Sequence, residues 1–383
     1  MGNRILGVGL TGTSLTDLER RLLQDTPPYA VILFGRNVES AEQLLSLVGD
    51  IKSQSSEPPL IMIDEEGGRV DRLREIVPGL PSAEAFDEGQ DAEELVTRFG
   101  NIVGQALRYF QIDINLAPVV DVRKGEGARG LERRCFGDSP QRVIELAGRF
   151  MRGQHEAGVA SCLKHFPGLG AGSGDSHYGP SVVDLTEDEL ETEALGPYRW
   201  LSNEARAVMI GHALYPRIED PSVPASLSRR IATDLLRGRL GFDGLAISDD
   251  MEMHAVSDLG SYNEICARAL VAGNDVIMLC SHVEKIPEVM SHLQSMAASN
   301  PMVGARFNEA VFRADAYREH CRRLKEAATL QKVSFEGLFD LVNEFCEDFE
   351  ASRILVAGSS TGAERRERPR TAGTGKTGRE EWT

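Results

Sequence analysis

The segment KHFPGLGAGSGDSHYG, residues 164–179, places a lysine, two histidines and an aspartate on one glycine-rich stretch. Asp175 and His177 stand two positions apart, close enough for the carboxylate to orient the imidazole and favour its protonated form. An imidazole held in this way can give up a proton near neutral pH and take one back, which is general acid and base chemistry. The segment follows an apolar run at 159–163, and the next helical pattern begins near Glu187, so a long stretch belongs to neither. Loops of about twenty residues inside compact domains are usually functional or disordered.

The elements that must position these groups show in the hydrophobic pattern. Short apolar runs at 5–10, 30–34, 60–64, 114–121, 159–164, 207–211, 244–248 and 275–279 alternate with helical patterns such as 41–52, 93–110, 142–157, 228–240 and 262–272. Continuously apolar runs are expected of parallel strands buried on both faces, and the alternation is that of βα units. Several runs end in polar or ionisable residues: Asp64, Asp121, Lys164 with His165, His212, Asp249 with Asp250, and Ser281 with His282. In a TIM-type barrel every strand delivers its C-terminal end to one mouth, whereas an open sheet would spread these groups along a crevice. The sequence therefore predicts an α/β protein, a (β/α)8 barrel with an extended loop after strand five and C-terminal helices.

Phe335, Leu338, Phe339, Val342 and Phe345 follow helical spacing and predict a terminal helix docked on the barrel. One domain is expected over 1–350. Residues 351–383, rich in Gly, Thr, Arg and Glu without an apolar period, read as a disordered tail. The GTGKT within it lacks the first glycine of a phosphate-binding loop, Arg370 standing there, and no strand precedes it, so no nucleotide site is expected.

Composition narrows the function classes. A formal charge of −17 argues against nucleic acid or an anionic membrane as partner. The six cysteines are scattered without a CxxC pair, which indicates neither a disulfide framework nor a zinc site. The apolar run at 5–10 is too short for a secretory core, and nowhere do about 18 apolar residues follow one another. Leu6 stands where a myristoylation signal wants Ser or Thr after Gly2. A soluble cytoplasmic protein with reduced thiols is expected.

Three more segments complete a pattern: IDEEGGRVDRLR at 63–74, ERRCFGDSP at 132–140 and GLAISDDMEM at 244–253. Together with KHFPGLG and DSH, in this order, they resemble glycoside hydrolase family 3, and within it the single-domain bacterial β-N-acetylglucosaminidases of peptidoglycan recycling. The resemblance covers roughly residues 3–330. It implies that Asp249 is the nucleophile, that His177 is the general acid/base, and that Asp175 orients His177. It also implies that Asp64, Arg72, Arg134, Lys164 and His165 hold the sugar. No cofactor or metal is implied, and the partner is a small carbohydrate or muropeptide substrate.

These residue types suit that chemistry. Hydrolysis with retention needs a carboxylate that attacks the anomeric carbon and a second group that protonates the leaving oxygen and then activates water. Sugar hydroxyls need paired donors and acceptors, which an aspartate beside lysine, histidine and arginine supplies. Side chains alternate along a strand, so only one of Asp249 and Asp250 is expected to aim at the substrate; periodicity leaves open which, and the resemblance selects Asp249.

The resemblance implies an exo-acting retaining β-N-acetylglucosaminidase working on cytoplasmic muropeptide fragments. A broader β-glucosidase, a phosphorylase using phosphate in the second step, a non-catalytic glycan-binding barrel and a Schiff-base aldolase built on Lys164 are the competing readings. Two positions depart from the family pattern: Leu169 stands where relatives commonly carry His, and Glu252 where a small residue is usual. Neither replaces a proposed catalytic group, so the differences are expected in aglycone preference or loop closure.

Overall fold

The computed structural model describes residues 3–87, 91–125, 130–173, 180–329 and 333–363. Nine strand segments occur in it: β1 (Asn3–Gly9), β2 (Pro28–Leu33), β3 (Leu60–Ile63), β4 (Ile114–Asn115), β5 (Ala160–Ser161), β6 (Leu163–Phe166), β7 (Ala207–Ile210), β8 (Leu245–Asp250) and β9 (Val276–Leu279). Their hydrogen-bonded order is β5-β4-β3-β2-β1-β9-β8-β7-β6, with every ladder parallel. The two ends of that order, β5 and β6, are halves of one strand interrupted at Cys162, whose N–H donates to Ala117 O at 3.1 Å. The sheet is therefore the eight-stranded TIM-type barrel that the alternating runs predicted.

The helices form where caps and amphipathic spacing favour them. They are α1 (Asp17–Asp25), α2 (Ala41–Ser53), α3 (Ala92–Tyr109), α4 (Pro140–Glu156), α5 (Glu187–Glu193), α6 (Gly196–Ala205), α7 (His254–Ser257), α8 (Tyr262–Ala272), α9 (Ile286–Ser299), α10 (Pro301–Ala327) and α11 (Phe335–Ala363), with a π-helical segment at Arg230–Arg239. In α2, Ser40 caps the N-terminus through Gln43 N–H, and Leu44, Leu47, Val48 and Ile51 bury one stripe. Each such side chain contributes roughly 1.5–3 kcal/mol on burial. The α3–α4 crossing needs glycine at two places, because a Cβ on Gly100 would strike the Phe150 carbonyl and one on Gly153 the Thr97 carbonyl.

One hydrophobic core lies between barrel and helices, and a second fills the barrel interior with Ile32, Met62, Leu116, Met209, Ile247 and Met278 among others. Helix α10, which the sequence reading did not single out, closes the end of the barrel where the strands begin. Its Ala314, Tyr317 and Cys321 join the interior core, Tyr317 Oη donates to Ser161 O at 2.6 Å, and Arg318 donates to Pro58 O and Tyr29 O. On α11, Leu338, Val342 and Phe345 are buried as their spacing predicted, while Phe339 is largely exposed. Helical backbone continues past residue 350 to Ala363, the last described residue.

Candidate active site

A cavity of about 350 Å³ opens where the strands end, and Asp64, Arg72, Arg134, Lys164, His165 and Asp249 all line it. Residues from β3, β6 and β8 converge as the strand-end pattern predicted. In the ring β3 and β8 stand opposite one another, with β2, β1 and β9 between them on one side. Asp249 thus faces the Asp64 and Arg72 side of the mouth across the space. Asp175 and His177 lie outside the described residues.

The polar wall is a charge network. Lys164, only 2 % exposed, places Nζ 2.6 Å from Asp64 Oδ1 and 2.5 Å from Glu66 Oε1. Arg134 donates to both oxygens of Glu66, at 2.7 and 2.8 Å, and to Gly130 O. Burial pushes the Lys164 pKa down, but Asp64 and Glu66 outweigh it and hold the pKa above that of an ordinary lysine. For Glu66 burial pushes upward, and Arg134 and Lys164 overcome it, so its carboxylate stays ionised. A lysine held cationic in this way is unsuited to Schiff-base chemistry, which needs a neutral amine, and the aldolase reading loses its basis.

Arg72 is differently placed. Its contact with Asp64 is long, 3.9 Å, its Nε is buried without a hydrogen-bond partner among the described residues, and it packs over the Phe34 ring. The guanidinium therefore has donors to spare toward the cavity. His165 is fixed by Asp121, whose Oδ2 lies 2.8 Å from His165 Nδ1 and whose Oδ1 accepts Leu169 N–H at 2.6 Å. That carboxylate places the imidazole proton on Nδ1 and leaves Nε2 for another partner.

Asp249 accepts the N–H of Asp250 at 2.8 Å. Burial would raise its pKa, but His212, His165, that N–H and Lys164 together bring it below the ordinary carboxylate value. Asp250 behaves oppositely: burial raises its pKa to about 6, despite N–H groups from Glu252 and Cys280. Both aspartates border the cavity, and Asp250 Oδ1 accepts the N–H groups of Glu252 and Cys280 at 3.1 and 3.3 Å. The register of β8 against β9 shifts between Ile247 and Asp250, so regular alternation fails at the strand's end.

His212 is buried, with Nδ1 2.7 Å from Ser226 Oγ and Nε2 2.9 Å from Asp250 O. Burial lowers its pKa against the pull of Asp249. A carbonyl only accepts, so the neutral ring carries its proton on Nε2 and accepts from Ser226. Sequence reading noted His212 only as a strand-end residue and assigned no role to Asp121 or Glu66. Glu66 sat within a quoted motif, and its salient signal was a second carboxylate beside two basic side chains that become neighbours only in the fold. Of the two departures, Leu169 lines the cavity, whereas Glu252 accepts N–H groups of Ser281 and His282 and the Tyr262 hydroxyl, joining the loops after β8 and β9. Among the described residues no group of three or more His, Cys, Asp and Glu side chains could hold a metal ion, and no helix is long and apolar enough to cross a membrane.

The sequence profile described as "Glycosyl hydrolase family 3 N terminal domain" matches residues 9–314. A protein named Beta-hexosaminidase from Stenotrophomonas maltophilia strain K279a is 36% identical over 296 residues, covering 76% of this chain and 87% of its own length. Among solved structures, a glycoside hydrolase family 3 beta-N-acetylglucosaminidase from Paenibacillus sp. str. FPU-7 superposes with a TM-score of 0.79 at 29% identity, covering 90% of this chain and 67% of that one. NagZ from Neisseria gonorrhoeae in complex with N-trifluoroacetyl-D-glucosamine gives 0.71 at 26% identity, covering 93% and 97%.

Proposed function

The chain belongs to glycosyl hydrolase family 3 and is a glycoside hydrolase of the β-hexosaminidase kind, and we propose that it is a retaining, exo-acting β-N-acetylglucosaminidase with Asp249 as nucleophile. The observation that carries this reading is the position of Asp249: a carboxylate kept ionised at the end of β8, across the cavity from Asp64 and Arg72.

In this mechanism a terminal sugar rests against Asp64, Arg72, Lys164, Arg134 and His165. Asp64 accepts from hydroxyls, while Arg72, Lys164 and His165 donate to sugar oxygens. Arg134 also holds Glu66, the second partner of Lys164, in place. Asp249 attacks the anomeric carbon as the leaving oxygen takes a proton from His177, and a glycosyl ester forms. His177 then takes a proton from water, which attacks the anomeric carbon, breaks its bond to the Asp249 oxygen and frees the carboxylate. Asp175 favours the imidazolium needed in the first step.

The natural substrate in this reading is a muropeptide fragment with terminal N-acetylglucosamine, met in the cytoplasm. Hydrolysis is tested by comparing nitrophenyl β-N-acetylglucosaminide with the β-glucoside, each with and without phosphate. Turnover of the first alone, yielding free N-acetylglucosamine regardless of phosphate, is expected. Preference for the glucoside, or a glycosyl phosphate product, would replace this reading by one of its two close alternatives.

A further inference from the structure

Behind Arg72 lies a pair of carboxyl groups that the reaction does not use. Glu65 follows β3, is fully buried, and is locked to β4 by its main chain: its N–H donates to Asn115 Oδ1 at 2.9 Å and its oxygen accepts from Asn115 Nδ2 at 2.8 Å. Its Oε2 accepts the N–H of Arg72 at 2.8 Å and of Leu73 at 3.1 Å. Asp71, 4 % exposed, accepts Leu80 N–H on Oδ2 at 2.9 Å. The remaining oxygens, Glu65 Oε1 and Asp71 Oδ1, are both buried with no donor from elsewhere in the described protein, and the two side chains lie within hydrogen-bonding range of each other.

Two carboxylates cannot bond, since both only accept; one proton between them satisfies both oxygens at once. We propose that Glu65 and Asp71 share a single proton and, as an acid–carboxylate pair, hold the turn that presents Arg72 to the substrate. They are positioning residues, and the claim about substrate rests on Arg72 contacting the sugar as described above. Charged or titratable neighbours are few: Arg74 on the same loop faces Asp71, and the Cys346 thiol of α11 lies near it. Burial is the largest cause raising the pKa of each member, and mutual repulsion adds to it for Glu65. Both effects favour the protonated form of the pair.

Infrared difference spectra of the intact enzyme at pH 8, wild type minus Glu65→Gln, test the proton independently of any substrate. A protonated carboxyl carbonyl band, present in wild type and lost in the variant, is expected; its absence from wild type overturns the proposal. Kinetics test the positioning. Glu65→Ala strands three buried groups and should raise KM about tenfold, the equivalent of one lost hydrogen bond to a buried partner. Glu65→Gln, whose amide donates permanently to Asp71 and still accepts from Arg72 N–H, should restore most of that loss while kcat stays within a factor of about two. If Glu65→Gln is as impaired in KM as Glu65→Ala, the shared proton does not position Arg72. If the infrared band is present but Arg72→Ala leaves KM unchanged, the pair exists and the assignment of Arg72 to the sugar fails instead.

Discussion

His212 Nε2 lies 2.9 Å from the main-chain oxygen of Asp250, so a neutral imidazole from the end of β7 grips the residue next to Asp249. Its other nitrogen is held by Ser226, itself fully buried. The ring thus ties three segments together at the point where the proposed nucleophile leaves its strand. Removing it orphans a buried carbonyl and a buried hydroxyl, a loss of about 1–3 kcal/mol for each group. His212→Ala should lower kcat by at least tenfold with a smaller change in KM, and His212→Gln, which keeps a donor near the Nε2 position, should recover part of it. Equal kcat values for the two variants would show that the imidazole does not position Asp249.

Asp249→Ala should abolish turnover of activated nitrophenyl substrates while the circular dichroism spectrum stays native. A 2-fluoro or 5-fluoro glycosyl inhibitor should label Asp249, read by peptide mass spectrometry. Label on Asp250 would transfer the nucleophile to the neighbouring residue, and an active Asp249→Ala would do the same.

The pH profile separates the two aspartates. Asp249 titrates below an ordinary carboxylate, whereas Asp250 takes up its proton as pH falls through about 6. Protonation of Asp250 removes a negative charge beside the nucleophile. If kcat/KM changes as pH falls through about 6, Asp250→Asn should make that step vanish and leave the limb set by Asp249 at lower pH. A step near pH 6 that persists in Asp250→Asn would belong to another group.

Glu66 anchors both Lys164 and Arg134 from a position 4 % exposed. Glu66→Ala leaves two cations without their shared partner, which costs about 3–5 kcal/mol in buried pairs. The urea midpoint should fall accordingly, and KM should rise because Lys164 loses its fixed position. A variant with unchanged midpoint and KM would contradict the bridging role.

Acid should destabilise the fold through His155 and His320, whose rings meet edge to face at 6.0 Å with both Nε2 atoms lacking a partner among the described residues. Burial pushes their pKa values down to about 3 and about 4. The unfolded chain, with histidine pKa values near 6.5, binds more protons, so stability is full above about pH 6.5 and declines as pH falls below it. Tm should therefore drop between pH 7.5 and pH 5, and the His155→Phe/His320→Phe double variant should show a smaller drop. An undiminished drop would assign the acid sensitivity elsewhere.

The barrel was legible because parallel strands buried on both faces are apolar throughout, and each of the eight predicted runs coincides with a strand position. Six sugar-side and nucleophile candidates came together because strand ends in a barrel share one mouth. What the sequence hid depends on distance across the chain. Glu66 and Lys164 are about a hundred positions apart, and nothing in either segment reveals their 2.5 Å contact. The end of β8 shows what alternation cannot specify: a register shift at the last residues of a strand leaves no mark in the side-chain pattern. Helix α10 escaped attention for a related reason, since it packs the barrel end along part of one face and carries charge over the rest.

Strand β1 pairs with β2 on one side and with β9 on the other, so during synthesis β1 must wait for a strand about 270 positions later. A nascent chain halted before Val276 holds β1 with one bare edge, and one halted before Pro301 has the lower end of its barrel uncovered. Both surfaces invite pairing or collapse with other chains. Synthesis of this chain therefore passes through a period of exposure that ends only when α10 has emerged and covered the ring.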